Sequence, residues 1–256
     1  MGTGAFTQYI DVAQITLYVF WVFFILLIWY LRREDRREGY PLEVDGKGMS
    51  SHSVLFIPDP KTFHLPHGGT AVAPNLKADT RPVAASRRVE YPGTPLEPTG
   101  DPMADAVGPA SYAERADEPD KTYDGKVKII PMASDAHFHV AEGDPDPRGM
   151  DVLGADGEVA GAITEIWVDR SESCIRYYEL KLPGTGRNLN RLLPVNCVRI
   201  NDKNQVLVNS ILASQFAGVP RTKNPDQVTL LEEDKIMGYY AGGRLYATPQ
   251  RQEPLA

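Results

Sequence analysis

Apolar residues form one unbroken run near the start of the chain, and they alternate with polar residues only in its second half. The unbroken run, residues 12–31, contains twenty residues and no charged side chain. Twenty helical residues span about 30 Å, which matches the hydrocarbon core of a bilayer. We therefore predict a transmembrane helix over residues 12–31, preceded by an N-terminal segment, residues 1–11.

Basic residues flank only one end of this predicted helix. Four arginines follow it: Arg32, Arg33, Arg36 and Arg37. Asp11 is the only charged side chain before it. The positive-inside rule then predicts a periplasmic N-terminus and a cytoplasmic main domain, with the arginines near anionic lipid headgroups. Gln14 and Thr16 are polar residues within the span that could bond to neighbouring helices.

Two other interpretations of the apolar run fit less well. A cleaved signal peptide would have a basic start, a shorter apolar core and a small-residue cleavage site. A buried helix of a soluble protein would carry at least one polar face. Neither feature is present in residues 1–37.

Proline dominates the next part of the chain. Residues 41–110 contain eleven of the chain's 21 prolines and few long apolar runs. Such a stretch cannot build a conventional core, so we expect residues 32–110 to run as extended, irregular chain over partner subunits. Short apolar pieces at residues 54–57, Phe63 and Leu65 are what a surface-bound segment needs and a free linker does not.

The second half has the pattern of a compact β domain. Residues 157–182 predict two strands around a turn at residues 169–173, and residues 183–186 predict a further turn. Residues 189–208 predict another pair of strands, which turns at residues 201–204. Short strands at this spacing indicate a small barrel or sandwich.

A helix is predicted near the C-terminus. Thr229 and Glu232 have the spacing of a capping box, which predicts a helix over residues 230–240. Gly242 and Gly243 are expected to stop it. The last ten residues, 247–256, are expected to form a loose tail.

Charge and cysteine content exclude some functions. The net charge of −7 argues against nucleic-acid binding. Cys174 and Cys197 are the only cysteines, so no disulfide scaffold is indicated, and we interpret both as small buried apolar residues. The chain contains no phosphate-binding loop and no nucleophile–base pattern of a hydrolase.

Two groups of residues are candidates for chemistry. His137 and His139 would share one face of a strand with Asp135, which is a weak metal-site pattern; we favour the interpretation that they are a structural or surface pair. Charged residues also cluster at the predicted strand turn: Glu165, Asp169, Arg170, Glu172 and Arg176. This cluster is either an ordinary surface turn or, at an interface with a membrane partner, a set of carboxylates that passes protons.

Longer blocks of sequence carry a more specific signal. They are REGYPLE (37–43), PKTFHLPHGG (60–69), PTGDPM (98–103), AVGPASY (106–112), IWVD (166–169), RLLP (191–194), FAGVP (216–220) and VTLLEEDKIMGYYAGG (228–243). In this order, the chain resembles the H subunit of the photosynthetic reaction centre of purple bacteria over nearly its whole length.

The resemblance implies a fold and a set of partners. The fold is one N-terminal transmembrane helix, an extended irregular region, a mainly-β cytoplasmic domain with a small PRC-type barrel over residues 111–246, and one C-terminal helix. Such a subunit caps the L and M subunits in the inner or intracytoplasmic membrane and is not itself an enzyme. It binds no cofactor itself, because bacteriochlorophyll, bacteriopheophytin, quinones and non-haem iron belong to L and M. A cytochrome subunit, the light-harvesting 1 antenna and membrane lipids are further partners that such a complex can have.

The resemblance also implies that the subunit shields the quinone sites and helps to conduct protons to the secondary quinone. Glu172, Asp169 and Arg176 match family positions in that proton path. Asp124 and Lys126 lie where some members carry two histidines at the proton entrance, which can also bind inhibitory zinc or cadmium. This chain has DGKVK (124–128) there, a departure that calls zinc inhibition into question. His139 matches a family histidine, whereas His137 does not.

One alternative function remains open at this point. A membrane-tethered PRC-barrel adaptor of another membrane complex would share the helix and the β domain. Such an adaptor would not need the family-specific segment of residues 41–110.

Overall fold

A computed structural model of the chain describes residues 11–40, 57–75, 77, 79–91, 93–184 and 189–252. Parts of four predicted features lie outside these residues: the N-terminal segment through residue 10, the apolar piece at 54–56, the turn at 185–186 and the tail at 253–256. The chain divides into two units after Asp79. Residues 80–110, predicted as part of the extended region, are grouped with the second unit.

The apolar run forms helix α1, Val12–Glu34, which extends three residues beyond the predicted span. Together with the next turn it is long and apolar enough to cross a membrane. None of the residues of α1 is buried against the rest of the described chain. Asp11 caps the helix, because its Oδ1 accepts the backbone N–H of Gln14 at 2.8 Å while the Gln14 side chain accepts the N–H of Asp11. The Thr16 hydroxyl donates to the carbonyl of Val12 at 2.8 Å. Gln14 and Thr16 thus each have a backbone partner at the start of the helix.

The first unit continues from α1 into a two-stranded hairpin, β1 (Lys61–His64) and β2 (Thr70–Ala73). Arg37 links the two elements. Its guanidinium pairs with both carboxylate oxygens of Glu34 at 2.8 and 2.9 Å. It also donates to the carbonyls of Asp59 and Ala73, each at 2.9 Å. A planar five-donor group is suited to this joint, since it bonds to one carboxylate and two carbonyls together.

The second unit is built mainly from strands. They are β3 (Ala85–Arg87), β4 (Leu96–Pro98), β5 (Ile129–Pro131), β6 (Asp151–Leu153), β7 (Val159–Asp169), β8 (Cys174–Lys181), β9 (Asn190–Pro194), β10 (Arg199–Ile200) and β11 (Val206–Leu207). β3 and β4 form a separate hairpin. The others form one sheet in the order β10-β11-β6-β7-β8-β9, with β5 also paired to β7. All neighbours are antiparallel except β11 and β6.

The two predicted strand pairs have different outcomes. β7 and β8 pair around the predicted turn, so that prediction is confirmed. In residues 189–208 the first predicted strand is interrupted: β9 ends at Pro194, a 3-10 turn covers Val195–Cys197, and β10 follows. β9 pairs with β8, whereas β10 pairs with β11 around residues 201–204.

The C-terminal helix α2 spans Leu230–Tyr246. The predicted capping box is confirmed: the Thr229 hydroxyl accepts the N–H of Glu232 at 3.1 Å, and the Glu232 carboxylate accepts the N–H of Thr229 at 2.9 Å. The predicted stop at Gly242 and Gly243 is wrong, because the helix runs through both. A Cβ on Gly242 would lie 2.5 Å from the Cβ and 3.0 Å from the Cα of Ala110. These glycines allow close packing and do not terminate the helix.

The predicted loose tail begins with an ordered stretch that is anchored at Arg251. A 3-10 turn covers Pro249–Arg251. The Arg251 guanidinium donates to the carbonyls of Ser210 and Gly243 at 2.7 Å and of Asn209 at 3.0 Å. One of these acceptors is a carbonyl in the last turn of α2, where a cation is favoured by the helix dipole.

The core lies between the sheet and α2. Its largest fully buried side chains include Trp167, Phe216 and Tyr240. The rings of Phe216 and Tyr240 meet edge to face with centroids 6.1 Å apart, and the Tyr240 hydroxyl donates to the carbonyl of Leu192. The expectation of two buried cysteines is only partly met, since Cys174 and Cys197 are half-buried free thiols.

Gly242→Ala tests the packing of α2 against Ala110. Alanine would gain about 1 kcal/mol of helix propensity, but overpacking costs up to about 3 kcal/mol. We expect a net loss of about 2 kcal/mol in the free energy of unfolding, measured by denaturant titration of the chain in detergent. The control is Ala241→Gly, expected to lose about 1 kcal/mol through propensity alone. A Gly242→Ala variant more stable than the parent chain would contradict the close approach.

Candidate functional site

The candidate site lies at the turn between β7 and β8. Asp169 ends β7, where it pairs with Cys174 of β8 on one side and Ile129 of β5 on the other. Its Oδ1 accepts the backbone N–H groups of Ser171 at 2.8 Å and Glu172 at 3.1 Å. An aspartate that bonds to the backbone two and three residues ahead stabilises such a turn. The turn therefore holds Glu172 close to Asp169.

Asp169 is a buried carboxylate, and only one of its two oxygens accepts hydrogen bonds. The side chain is 0% exposed, and its Oδ2 accepts no hydrogen bond. Oδ2 lies 3.5 Å from the Nζ of Lys128, at ion-pair distance. A buried charge is costly unless it is paired, and the Lys128 ammonium group is the charge partner at this distance from Asp169.

Lys128 is shared by three carboxylates. Its Nζ lies 3.5 Å from Oδ2 of Asp120, 3.5 Å from Oδ2 of Asp169 and 3.7 Å from Oε1 of Glu172. Partial burial alone would lower the pKa of Lys128, but the attraction of Asp169 and Asp120 outweighs it, so the pKa is raised above its ordinary value. Lys128 therefore stays a cation at neutral pH and holds the acids together.

The acids of this cluster differ in their access to water. The Glu172 side chain is 59% exposed, whereas Asp169 is fully buried. Both lie within 4 Å of the same ammonium group. The cluster thus joins a solvent-facing carboxylate to a buried one through a shared cation.

An open cleft of about 510 Å³ borders the turn. Asp124 and Lys126 line it from a tight loop, which is closed by the N–H of Thr122 donating to the carbonyl of Lys126 at 2.8 Å. Arg170 and Ser171 line it from the β7–β8 turn. The structure therefore brings four predicted positions, Asp124, Lys126, Asp169 and Glu172, into one neighbourhood.

The cleft also contains Asp135, Arg170 and His137. The Nε of Arg170 lies 3.3 Å from Oδ2 of Asp135, and its backbone N–H donates to the carbonyl of Lys128 at 2.9 Å. The hydrogen bond from His137 at 2.9 Å holds the pKa of Asp135 below its ordinary value. Asp135 is thus an anion fixed between two basic side chains.

The metal-site pattern at His137 and His139 depended on a strand, which the structure does not contain. Residues 135–139 form a turn and irregular chain. The His137 side chain is 95% exposed and bonds to Asp135. Within the described residues, no group of three or more His, Cys, Asp or Glu side chains could hold a metal ion.

Arg176 lies apart from the Asp124 cleft. It is exposed on β8 and lines a second cleft of about 270 Å³ with Arg115, Tyr177, Glu233 and Asp234. Of the five predicted proton-path residues, it is the one that neither lies within 4 Å of Lys128 nor lines the Asp124 cleft.

The second cleft contains a residue that sequence reasoning missed. Glu233 is 8% exposed, and its Oε2 accepts the hydroxyl of Tyr177 at 2.7 Å. Burial raises the pKa of Glu233, against the lowering effect of the Tyr177 hydrogen bond and of nearby Arg176. Glu233 lies in the first turn of α2, where acidic residues are common and indicate no special role. Its spacing from Ile236 and Tyr240, three and seven residues on, was the signal that it faces the core.

Two parts of the chain match known protein families. The described residues contain one helix that could cross a membrane, and residues 139–212, in the mostly-β unit, match the PRC-barrel domain. Residues 4–134, half of the chain, match the family described as photosynthetic reaction centre, H-chain N-terminal region. The chain therefore belongs to the photosynthetic reaction-centre H-chain family.

Membership confirms the predicted resemblance and the predicted fold class. The family is a structural subunit of an electron-transfer complex, and membership implies association with the L and M subunits. The match begins before α1 and continues through the proline-rich region to residue 134, so it includes Asp124, Lys126 and Lys128. Asp169 and Glu172 fall within the PRC-barrel match.

The buried Glu233 predicts a pH-dependent stability. Because folding raises its pKa above the ordinary 4.5, the folded state binds the proton more tightly, and ionisation at higher pH costs stability. Glu233→Gln keeps an acceptor for Tyr177 but cannot ionise. We expect similar free energies of unfolding near pH 4 and a growing advantage of the variant as pH rises from 4.5 through the folded pKa, by at most about 1.4 kcal/mol per pH unit.

Unfolding of both chains in detergent across this pH range is the measurement. Glu142→Gln, which removes an exposed carboxylate, is the control and is expected to show no such trend. A Glu233→Gln advantage that is constant with pH would show that Glu233 does not titrate through folding.

Proposed function

We propose that this chain caps the L and M subunits on the cytoplasmic side, shields the quinone sites and helps to deliver protons to the secondary quinone. The orientation rests on charge: Arg32 and Arg33 end α1, whereas Asp11 precedes it. The positive-inside rule then puts residues 1–11 in the periplasm and the rest after α1 in the cytoplasm, within the inner or intracytoplasmic membrane. A cytochrome subunit and a light-harvesting antenna are further partners of the complex in this proposal.

The extended region supports the capping role. In the described part of residues 32–110, Phe63, Leu65 and Val72 are exposed apolar side chains on or beside the β1–β2 hairpin. Several apolar residues on one small hairpin are typical of a surface that another protein covers. We therefore retain the interpretation that residues 32–110 lie on partner subunits.

One observation carries the proton-delivery proposal: the buried Asp169 oxygen without a hydrogen bond, at the edge of a cluster that also contains an exposed acid. A proton relay needs groups that reach water at one end and a dry interior at the other. Glu172 provides the first and Asp169 the second, with Lys128 between their oxygens. The Oδ2 of Asp169 can accept a proton without breaking an existing hydrogen bond.

The open cleft is proposed as the entrance from water. Asp124 and Lys126 line it, and the turn residues Arg170 and Ser171 connect it to Glu172. A proton taken up by Asp124 or by cleft water would pass to Glu172 and then to Asp169. In this scheme Arg176 acts through the second cleft, by its electrostatic effect on Glu233.

Lys128 gives the relay its charge balance. With the three carboxylates ionised, one ammonium group faces three negative charges. Uptake of one proton lowers the excess negative charge, so an electron that arrives on a nearby quinone favours protonation of this cluster. The chain itself provides protonatable groups and no catalytic machinery, and in this proposal it binds no pigment, quinone or metal of its own.

The alternative of an adaptor for another membrane complex is disfavoured by the family match. That match covers the proline-rich region that an unrelated adaptor would not need. Isolation of the chain from native membranes with pigmented L and M subunits would support the main proposal. A colourless complex without them would support the adaptor.

Glu172→Gln tests the proton path directly. The amide keeps the size of the side chain but cannot carry a proton. We expect proton uptake and the proton-coupled second electron transfer to slow by about tenfold or more, while primary charge separation is unchanged. Flash-induced absorbance changes of the assembled complex measure both steps.

The matched control is Glu142→Gln, which removes an exposed carboxylate outside the cluster and is expected to leave both rates unchanged. Asp169→Asn is expected to slow the same step as Glu172→Gln. Unchanged rates in both cluster variants would remove the β7–β8 turn from the path.

A further inference from the structure

A third cleft lies where β10, β11 and the end of α2 meet, and it shares the lining residue Asn196 with the second cleft. It has a volume of about 590 Å³ and is bordered by Arg199 of β10, Arg244 of α2 and Arg251 of the final 3-10 turn. Ligand sites in proteins occupy roughly 300–1,000 Å³, so a small polar group fits this space.

The charge of this cleft is opposite to that of the chain. The whole chain has 34 acidic and 27 basic side chains, yet three arginines and no acid line the cleft. Arg199 and Arg244 form no ion pair within the described part of the chain. Burial raises the pKa of the Cys197 thiol, against the lowering effect of Arg244, so this lining group stays neutral at pH 7. Among the residues that the structure describes, the cleft therefore has a positive charge that no lining acid balances.

Arg251 is held in place by neutral groups. Its Nη1 donates to two carbonyls and its Nη2 to a third, in Ser210, Gly243 and Asn209. A guanidinium has five donors, so two N–H groups remain after these three bonds. Arg251 is thus a rigid cation with donor capacity to spare, and no carboxylate neutralises it among its hydrogen-bond partners.

Ser210 provides an independent indication that this cleft is a binding site. Its side chain is 4% exposed, it lines the cleft, and its hydroxyl has no hydrogen-bond partner. Buried hydroxyls are normally bonded, and an unpaired one costs about 1–3 kcal/mol. The amides of Asn196 and Asn209 add neutral donors to the same lining.

We propose that this cleft is a binding site for an oxyanion of the phosphate class, either free phosphate or the phosphodiester of an anionic lipid headgroup. Guanidinium groups match phosphate oxygens through parallel N–H donors and are more weakly hydrated than ammonium groups. A serine hydroxyl and two amides would complete the donor set. None of the proposed proton-path residues lines this site, and the proposal does not depend on that path.

The test titrates two probes into the purified full-length chain in neutral detergent, with calorimetry as the readout. Inorganic phosphate is the first probe, and a soluble short-chain phosphatidylglycerol is the second, with phosphatidylcholine of the same chain length as its reference. Saturable binding of either probe is expected. Phosphate binding alone identifies a free-anion site, whereas phosphatidylglycerol binding that phosphate displaces identifies a headgroup site.

Three variants show whether the cleft is responsible. Arg199→Gln with Arg244→Gln is expected to weaken binding about tenfold or more, because two charged hydrogen-bond donors are lost. Lys181→Gln with Lys203→Gln removes the same charge from exposed positions outside the lining and is expected to weaken binding less than about threefold. Ser210→Ala removes an unpaired hydroxyl, so it is expected to be at least as stable as the parent chain and yet to bind more weakly.

Unfolding curves of each variant identify any that has lost its fold. Absence of saturable binding by both probes would overturn the proposal. Equal loss in the cleft and control pairs would also overturn it, because the binding would then be non-specific. A Ser210→Ala chain that is stable and binds as tightly as the parent would remove the hydroxyl from the site.

Discussion

Strand β7 hydrogen-bonds to β8 along one edge, while β6 and β5 share its other edge. This arrangement makes it the central strand of the second unit, and its residues from Ile166 to Asp169 are all buried. Register shifts after Ile163 and Trp167 bend it locally, as β-bulges do. The last residue of a strand held on both edges has little freedom. The backbone pairing of β7 with β5 and β8 therefore fixes the position of Asp169, independently of the contacts of its side chain.

The same constraint explains why Lys128 reaches Asp169. Lys128 directly precedes β5, whose first residue, Ile129, pairs with Asp169. Its backbone N–H also donates to the carbonyl of Asp120 at 2.8 Å, which brings a second acid to the ammonium group. One strand pairing thus brings Asp120 and Asp169, which are 49 residues apart in sequence, to the same ammonium group. An ionic cluster that is built on a sheet ladder stays in register when its protonation changes.

Features with a local cause were predictable from the sequence. The membrane helix follows from an uninterrupted apolar run, the β7–β8 pair from alternation around a polar turn, and the start of α2 from Thr229 and Glu232. The end of α2 was not predictable in this way, because Gly242 faces Ala110, which is distant in sequence. The break after β9 likewise reflects where β8 and β11 place their partners.

In the site, too, some features were predictable from the sequence, and others depend on residues that the fold brings together. Residue type and family position indicated Glu172 and Asp169 as site residues. They did not indicate that Glu172 is exposed and Asp169 fully buried. Lys128 and Glu233 have ordinary sequence surroundings, and their importance comes from the oxygens and hydroxyl that the fold brings to them. Arg176 was grouped with the turn because it is close in sequence, whereas the strand direction carries it to a different cleft.

Helix α1 has a consequence for how the complex is made. Its capping box and the Thr16 hydroxyl bond satisfy the polar groups at the start of the helix within the chain itself. A helix also pairs its backbone groups internally, so the segment can enter lipid before other helices pack against it. Its packing against other helices can then use an aromatic surface, where Phe20 and Phe24 stack at 5.8 Å. Membrane insertion and assembly are therefore separable events for this chain, and insertion can come first.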